Sequence, residues 1–197
     1  TNSSALFSQL QSGSTPQAMY LVLFSFIFMT MAIGVSVRLV HRRSAIGLLG
    51  DLRLFVPQFI AVSGAMLGLT LVVFLLPPWD MGGGYVANMG VGRWLSLLPL
   101  SLLAVLVQVS AEEILFRGYI QQQLAARFAS PVVWMVLPSA LFALGHYQSD
   151  ATGDNAALIA IWAGVFGILM ADLTARSGTL GPAIALHFIN NVSAILI

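Results

Sequence analysis

The sequence predicts an all-α membrane protein, a polytopic bundle of about six transmembrane helices. Of its 197 residues, 58% are hydrophobic and only 8% are charged, whereas a soluble domain carries roughly 25% charged residues. The apolar residues also form long continuous runs, and a membrane β-barrel would instead show short segments of alternating polarity. Composition and pattern therefore both favour membrane helices.

The chain divides into a polar lead-in, residues 1–16, and one membrane-embedded helical domain, residues 17–197. Each expected span is an apolar run, and the first has about the 20 residues needed to cross about 30 Å of hydrocarbon. Pro, Gly and polar residues separate the runs and predict the connecting loops. The six expected spans cover residues 17–37, 54–76, 94–119, 131–147, 156–171 and 182–197, of which the last two are short.

The composition also limits partners and cofactors. The sequence contains no Cys, which excludes disulfides, thiolate chemistry and metal sites with Cys ligands. A net charge of +1 without an extended basic cluster predicts no nucleic-acid partner. The expected partner is the lipid bilayer. The expected location is a multi-pass position in a bacterial cytoplasmic membrane, or in the endoplasmic reticulum membrane if the source is eukaryotic.

Three charged residues interrupt the third span in the stretch "AEEILFRG": Glu112, Glu113 and Arg117. The leucines and valines before them favour insertion by roughly 3–6 kcal/mol, but three charges near the middle of a span oppose it by roughly 8–10 kcal/mol. Glu113 and Arg117 are four residues apart and can pair on one helical face, which leaves Glu112 without that partner. The alternative is a helix that ends at Glu112, with a solvated acidic cluster at the membrane surface.

Polar residues also interrupt the fourth and sixth spans. "LFALGHY" places His146 at the end of the fourth span, where it is either an interfacial residue or part of a site. "ALHFINN" places His187 inside the last span, with Asn191 four residues later on the same face. This pair is equally compatible with a hydrogen-bonding clamp between helices. Asn190 competes with Asn191 for the position on that face.

Ionisable residues inside a membrane span are candidates for a functional site. Three helices could bring Glu112, His146 and His187 into one pocket with a base, a proton shuttle and hydrogen-bond donors, which suits hydrolysis by an activated water. Strict alternation of the spans, however, places His146 and Arg117 near opposite membrane surfaces. The pocket closes only if the third helix extends beyond Arg117, or if the fourth helix sits lower in the membrane than its ends suggest.

Three motifs in these spans resemble those of a known family. "EEILFRG" matches Glu-Glu-x-x-x-Arg, "FALGH" matches Phe-x-x-x-His and "HFINN" matches His-x-x-x-Asn, in that order on successive helices. The chain is in this respect similar to the CPBP family (CAAX proteases and bacteriocin-processing enzymes), intramembrane endopeptidases that include the type II CAAX prenyl proteases. The resemblance places the catalytic core at about residues 96–197.

The resemblance implies an intramembrane endopeptidase that acts on a membrane-anchored protein or peptide, including lipidated or prenylated CAAX-type substrates. Glu112 would be the general base that activates the attacking water, and His146 would assist it. His187 and Asn191 would stabilise the oxyanion of the tetrahedral intermediate, where removal of one donor costs ~3–4 kcal/mol in comparable hydrolases.

Within this resemblance, Glu113 and Arg117 have a supporting role as a buried pair that keeps Glu112 directed at the pocket. The alternative function is a catalytically silent immunity or scaffold protein of the same family. A proton-coupled transporter is disfavoured because the chain is small and shows no inverted repeat.

A metal-free mechanism is favoured over a zinc mechanism. Two histidines and a carboxylate can bind zinc and leave one position open for water, and the ligands would then be Glu112, His146 and His187. The sequence contains no His-Glu-x-x-His motif, however, and the amide of Asn191 is a poor zinc ligand. The expectation is therefore no cofactor, with zinc as the alternative.

Overall fold

The computed structural model describes residues 15–77, 89–149 and 153–196, and within them the protein is a bundle of six main helices without a β-strand. The helices are α1 (Pro16–Val40), α2 (Leu52–Leu75), α3 (Val91–Ala125), α4 (Pro131–Gly145), α5 (Ala156–Ser177) and α6 (Gly181–Leu196). Short 3₁₀ turns at Ala45–Leu49 and Gly153–Asn155 precede α2 and α5. The predicted all-α helical membrane bundle is confirmed.

Length and exposed surface both identify a membrane protein. Four helices, α1, α2, α3 and α5, are long and apolar enough to cross a membrane, whereas α4 and α6 are apolar helices of 15 and 16 residues. No residue of α2 is buried, and large apolar side chains such as Phe28 and Leu144 are 70% exposed. An apolar surface of this extent is stable against lipid and not against water.

The predicted polar lead-in lies almost entirely outside the described residues. At its end, the Thr15 hydroxyl oxygen accepts a hydrogen bond from the Ala18 amide at 3.2 Å and so caps α1. Pro16 occupies the first turn, where a proline loses no helical hydrogen bond. The helix therefore begins at Pro16 and not at residue 17.

The third helix is longer than predicted. It is α-helical over Val91–Glu113, π-helical over Ile114–Gln121 and α-helical again over Gln122–Ala125. The expectation that the third span ends at about residue 119 is therefore wrong, since the helix continues to Ala125. Extension of α3 beyond the charged motif is one of the two conditions under which the predicted pocket closes, and π-helical turns inside α-helices are frequent at functional sites.

The fifth helix is also longer than predicted, and the expectation that it is short is wrong. Its predicted end is residue 171, but the helix continues to Ser177. The exposed side chains of Asp172 and Arg176 pair at 2.7 Å across the last turn, which favours the helical conformation there. Gly178, with φ 72°, then ends the helix in the left-handed conformation that glycine adopts without strain.

Two apolar clusters place the helices around a common centre. Val105 and Val109 of α3 pack with Ile184 of α6 in one cluster, and Phe142 of α4 packs with Phe166 of α5 in the other. Helices α3, α4, α5 and α6 therefore surround the region that contains the charged motif. In the structure, α2 packs against the outer side of α6.

Candidate active site

Four ionisable side chains are buried together at the centre of the bundle. Glu112, Glu113 and Arg117 come from α3, and His187 comes from α6. Their exposed fractions are 8%, 0%, 1% and 3%. We refer to these four residues as the buried polar cluster. The alternative prediction of a helix that ends at Glu112 in a solvated acidic cluster is therefore wrong.

Glu113 holds the buried polar cluster together. Its Oε1 atom accepts a hydrogen bond from Arg117 Nη1 at 3.1 Å and another from His187 Nδ1 at 2.8 Å. The first contact is the ion pair that the four-residue spacing predicts. The second was not predicted, and it joins α3 to α6 and fixes the orientation of the imidazole ring.

Arg117 and Gln121 attach α3 to α5. Arg117 Nη2 donates to the Gly167 carbonyl at 3.0 Å, and Gln121 Nε2 donates to the Ala171 carbonyl at 2.9 Å. Both pairs are four residues apart, so the two contacts follow one face of each helix. Gly167 also allows α4 to pack closely against α5, because a Cβ atom there would lie 2.9 Å from Ser139 Cβ on α4.

Glu112 has different surroundings from Glu113. Its Oε2 atom has no hydrogen-bond partner among the described residues and lies 3.6 Å from His187 Nε2. This separation exceeds the usual hydrogen-bond length of about 2.7–3.2 Å, and one water molecule can bridge such a gap. The adjacent carboxylates are thus distinct, since Glu113 accepts two hydrogen bonds through Oε1 and Glu112 faces His187 Nε2, although the Oε2 atom of each is buried without a partner among the described residues.

Phe142 brings the fourth helix to the cluster. Its ring centroid lies 5.9 Å from that of His187 and 4.3 Å from that of His146, and Arg117 Cζ lies 4.9 Å from the ring. His146 Nδ1 donates to the Phe142 carbonyl at 2.8 Å, which leaves Nε2 as the free ring nitrogen. His146 does not bond directly to Glu112 in the described structure, but the two side chains are close enough to interact electrostatically.

Asn191 reaches across from α6 to α3. Its Nδ2 group donates to Gln108 Oε1 at 3.2 Å, and its Oδ1 atom accepts from Asn190 Nδ2 at 3.2 Å. Asn191 is therefore the asparagine that contacts the helix of Glu112, and Asn190 contacts Asn191. Sequence analysis missed Gln108. The available signal was a polar residue inside an apolar run, four residues before Glu112.

The arrangement of side chains does not fit a three-ligand metal site. Among the described residues, no group of three His, Cys, Asp or Glu side chains is positioned to hold a metal ion. This includes Glu112, His146 and His187, the ligands of the zinc alternative.

The fold and the buried polar cluster define a helical membrane protein with two adjacent buried carboxylates at its centre, of which Glu113 is paired with Arg117 and His187. A family model described as type II CAAX prenyl endopeptidase Rce1-like matches residues 94–193, and the chain belongs to this family. This confirms the resemblance that the three motifs indicate.

Among curated proteins, the chain is similar to the uncharacterized protein YyaK of Bacillus subtilis (strain 168). The two are 26% identical over 138 residues, which is 68% of this chain and 44% of that protein. The chain thus matches less than half the length of this relative. No solved structure matches the chain.

Proposed function

We propose that this chain is an intramembrane endopeptidase in which Glu112 activates the water that attacks the substrate peptide bond. The observation that carries the proposal is the 3.6 Å separation between Glu112 Oε2 and His187 Nε2. A water molecule at this position would donate a hydrogen bond to the carboxylate and contact the imidazole. A general base must lie within hydrogen-bonding reach of the proton that it removes, and this geometry supports that role for Glu112.

The charges of the buried polar cluster favour separate roles for the two carboxylates. Arg117 neutralises Glu113 through a direct ion pair. The negative charge of Glu112 is balanced when His187 carries a second proton. This matters because an uncompensated buried charge costs about 3–5 kcal/mol. The protonated imidazole donates through Nδ1 to Glu113 and retains an Nε2 proton for the substrate.

In the proposed reaction, Glu112 accepts a proton from water as the water oxygen bonds to the carbonyl carbon of the substrate. The carbonyl electron pair moves to oxygen, and His187 Nε2 and Asn191 Nδ2 donate hydrogen bonds to the resulting oxyanion. The carbonyl then re-forms as the C–N bond breaks. The proton on Glu112 passes to the leaving nitrogen, directly or through His146, so that the products are a carboxylic acid and an amine.

The position of the cluster restricts the substrate. Glu112 lies inside a helix bundle whose outer surface is apolar, so the scissile bond must enter the bundle from the membrane or from its surface. A membrane-anchored protein or peptide meets this requirement. The family description of a CAAX prenyl endopeptidase makes lipidated, and in particular prenylated, CAAX-type peptides the first class to test.

The test is a comparison of membrane-protein termini by mass spectrometry in cells that produce equal amounts of the native chain or of Glu112→Gln. Asp172→Asn is the matched control, because it also converts a carboxylate to an amide but lies in an exposed ion pair on α5. The proposal predicts peptide ends that appear with the native chain and the control and disappear with Glu112→Gln. Identical ends in all three samples would contradict it and would favour the silent immunity or scaffold protein.

A further inference from the structure

Gln108 is a buried amide next to the proposed site that belongs to none of the three motifs. Its side chain is 7% exposed, and it lies one helical turn before Glu112 on the same face of α3. A buried amide is costly unless it is hydrogen-bonded. The Gln108 amide bonds to Asn191 and lies beside Glu112, and both of these residues belong to the proposed site.

The oxygen end of Gln108 fixes the orientation of Asn191. Gln108 Oε1 accepts a hydrogen bond from Asn191 Nδ2, and Asn190 Nδ2 donates to Asn191 Oδ1. The Asn191 amide is planar and has two Nδ2 hydrogens. Because one hydrogen and the oxygen are both engaged, the direction of the second hydrogen is also fixed. This second hydrogen is the one available to an oxyanion.

Glu112 follows Gln108 by four residues on the same face of α3, so that its carboxylate lies within reach of the Gln108 amide. Since Gln108 Oε1 accepts from Asn191, the group that meets the carboxylate is the Nε2 donor. One side chain on α3 therefore connects the proposed base to the proposed oxyanion donor on α6. Glu112 Oε2 itself has no hydrogen-bond partner among the described residues and keeps its acceptor position.

We propose that Gln108 is a positioning residue that holds the Glu112 carboxylate and the Asn191 amide in the relative orientation that hydrolysis requires. The inference rests on the proposed function. Gln108 acts through its two partners and does not contact the substrate. Its loss should therefore lower kcat much more than it changes KM, because a displacement of ~1 Å at a reacting group costs about 100-fold in rate.

The first test is Gln108→Met in the purified protein, reconstituted into liposomes and assayed on a peptide that the native chain cleaves. Methionine keeps the length of the side chain and removes the amide that bonds to Asn191 and lies beside Glu112. We expect kcat to fall about 10- to 100-fold with KM within about threefold of the native value. Gln121→Met is the matched control, because Gln121 is a buried glutamine of the same helix that bonds to the Ala171 carbonyl. We expect kcat per folded molecule to stay within about threefold of native in this control.

A second test separates positioning from a general structural effect. In an Asn191→Ala background, Gln108→Met should cost much less than it costs in the native chain, because one of the two partners is already absent. Equal losses in both backgrounds, a native kcat for Gln108→Met, or an equal loss in Gln121→Met would overturn the inference. If one of these results is found and Glu112→Gln is inactive, the inference about Gln108 fails but the proposed function stands. If Glu112→Gln cleaves at the native rate, the proposed function itself fails.

Discussion

Replacement of Arg117 by methionine should be among the most destabilising changes in the described part of the chain. The guanidinium is 1% exposed and donates to Glu113 Oε1 and to the Gly167 carbonyl. Methionine fills much of the same space but leaves Glu113, which is fully buried, without its cation. Breaking a buried ion pair by removal of one partner costs about 3–5 kcal/mol, and this is the loss of unfolding free energy that we expect.

The double variant Glu113→Gln/Arg117→Met tests the physical reason. It removes both charges, and a glutamine oxygen can still accept the hydrogen bond from His187 Nδ1. Replacement of both members of a buried pair is often close to neutral. The double variant should therefore be more stable than Arg117→Met alone by about 1–3 kcal/mol.

Equilibrium unfolding of the purified protein in mixed micelles with increasing SDS, followed by tryptophan fluorescence, gives the four free energies of this cycle. The native chain, the single variants Glu113→Gln and Arg117→Met, and the double variant are measured at one micelle composition and one pH. If the loss of unfolding free energy in the double variant equals the sum of the two single-variant losses within about 0.5 kcal/mol, the two residues are independent. That result would refute the reasoning that Glu113 and Arg117 form one electrostatic unit.

Three further predictions concern packing, catalysis and metal. Gly167→Ala should lower the free energy of unfolding by about 1–3 kcal/mol, because its Cβ would lie 2.9 Å from Ser139 Cβ. Gly164→Ala on the same helix is the control. It should be nearly neutral in the same unfolding assay, since its Cβ would lie 3.4 Å from Ala143 Cβ. Asn191→Ala should lower kcat by about 10²- to 10³-fold with little change in KM, and a steady-state assay that finds the loss in KM alone would contradict its role as an oxyanion donor. Chelators such as EDTA or 1,10-phenanthroline should leave cleavage unchanged, and a loss that zinc alone restores would show that the reaction requires the metal.

Local spacing accounts for the features that sequence analysis predicted correctly. The ion pair between Glu113 and Arg117 follows from their four-residue separation on one helix, and the structure contains it at 3.1 Å. The contact between Glu113 and His187 could not be predicted in the same way. It depends on how α3 and α6 pack, and the two residues are 74 positions apart in the sequence, with no periodicity between them that fixes that packing.

The error at the end of α3 has a specific cause. The run of glutamines at residues 121–123 resembles a loop, but Gln121 bonds to the Ala171 carbonyl and Gln122 bonds to the Leu48 carbonyl at 3.2 Å. Backbone carbonyls of other elements thus accept hydrogen bonds from both amide nitrogens, and the helix continues. Sequence composition shows that a residue is polar, but it does not show which distant carbonyl will accept its hydrogen bond.

The sequence also left the choice between Asn190 and Asn191 open, because both lie near the face of α6 that contains His187. In the structure, Asn191 bonds to Gln108 on α3, and Asn190 donates to Asn191. The i, i+4 spacing from His187 favours the same residue. What the spacing could not supply is the partner, since Gln108 belongs to another helix and to no motif.

The most direct test of the central claim is the rate of peptide-bond cleavage by the reconstituted protein with Glu112→Gln, measured beside Asp172→Asn. If Glu112 is the general base, Glu112→Gln should lower the cleavage rate by about 10²- to 10⁴-fold. The variant should still unfold at the same SDS fraction as the native protein, which shows that it is folded. Asp172→Asn should retain the native rate, because its carboxylate lies in an exposed ion pair away from the cluster. A folded Glu112→Gln variant that cleaves at the native rate would contradict the account.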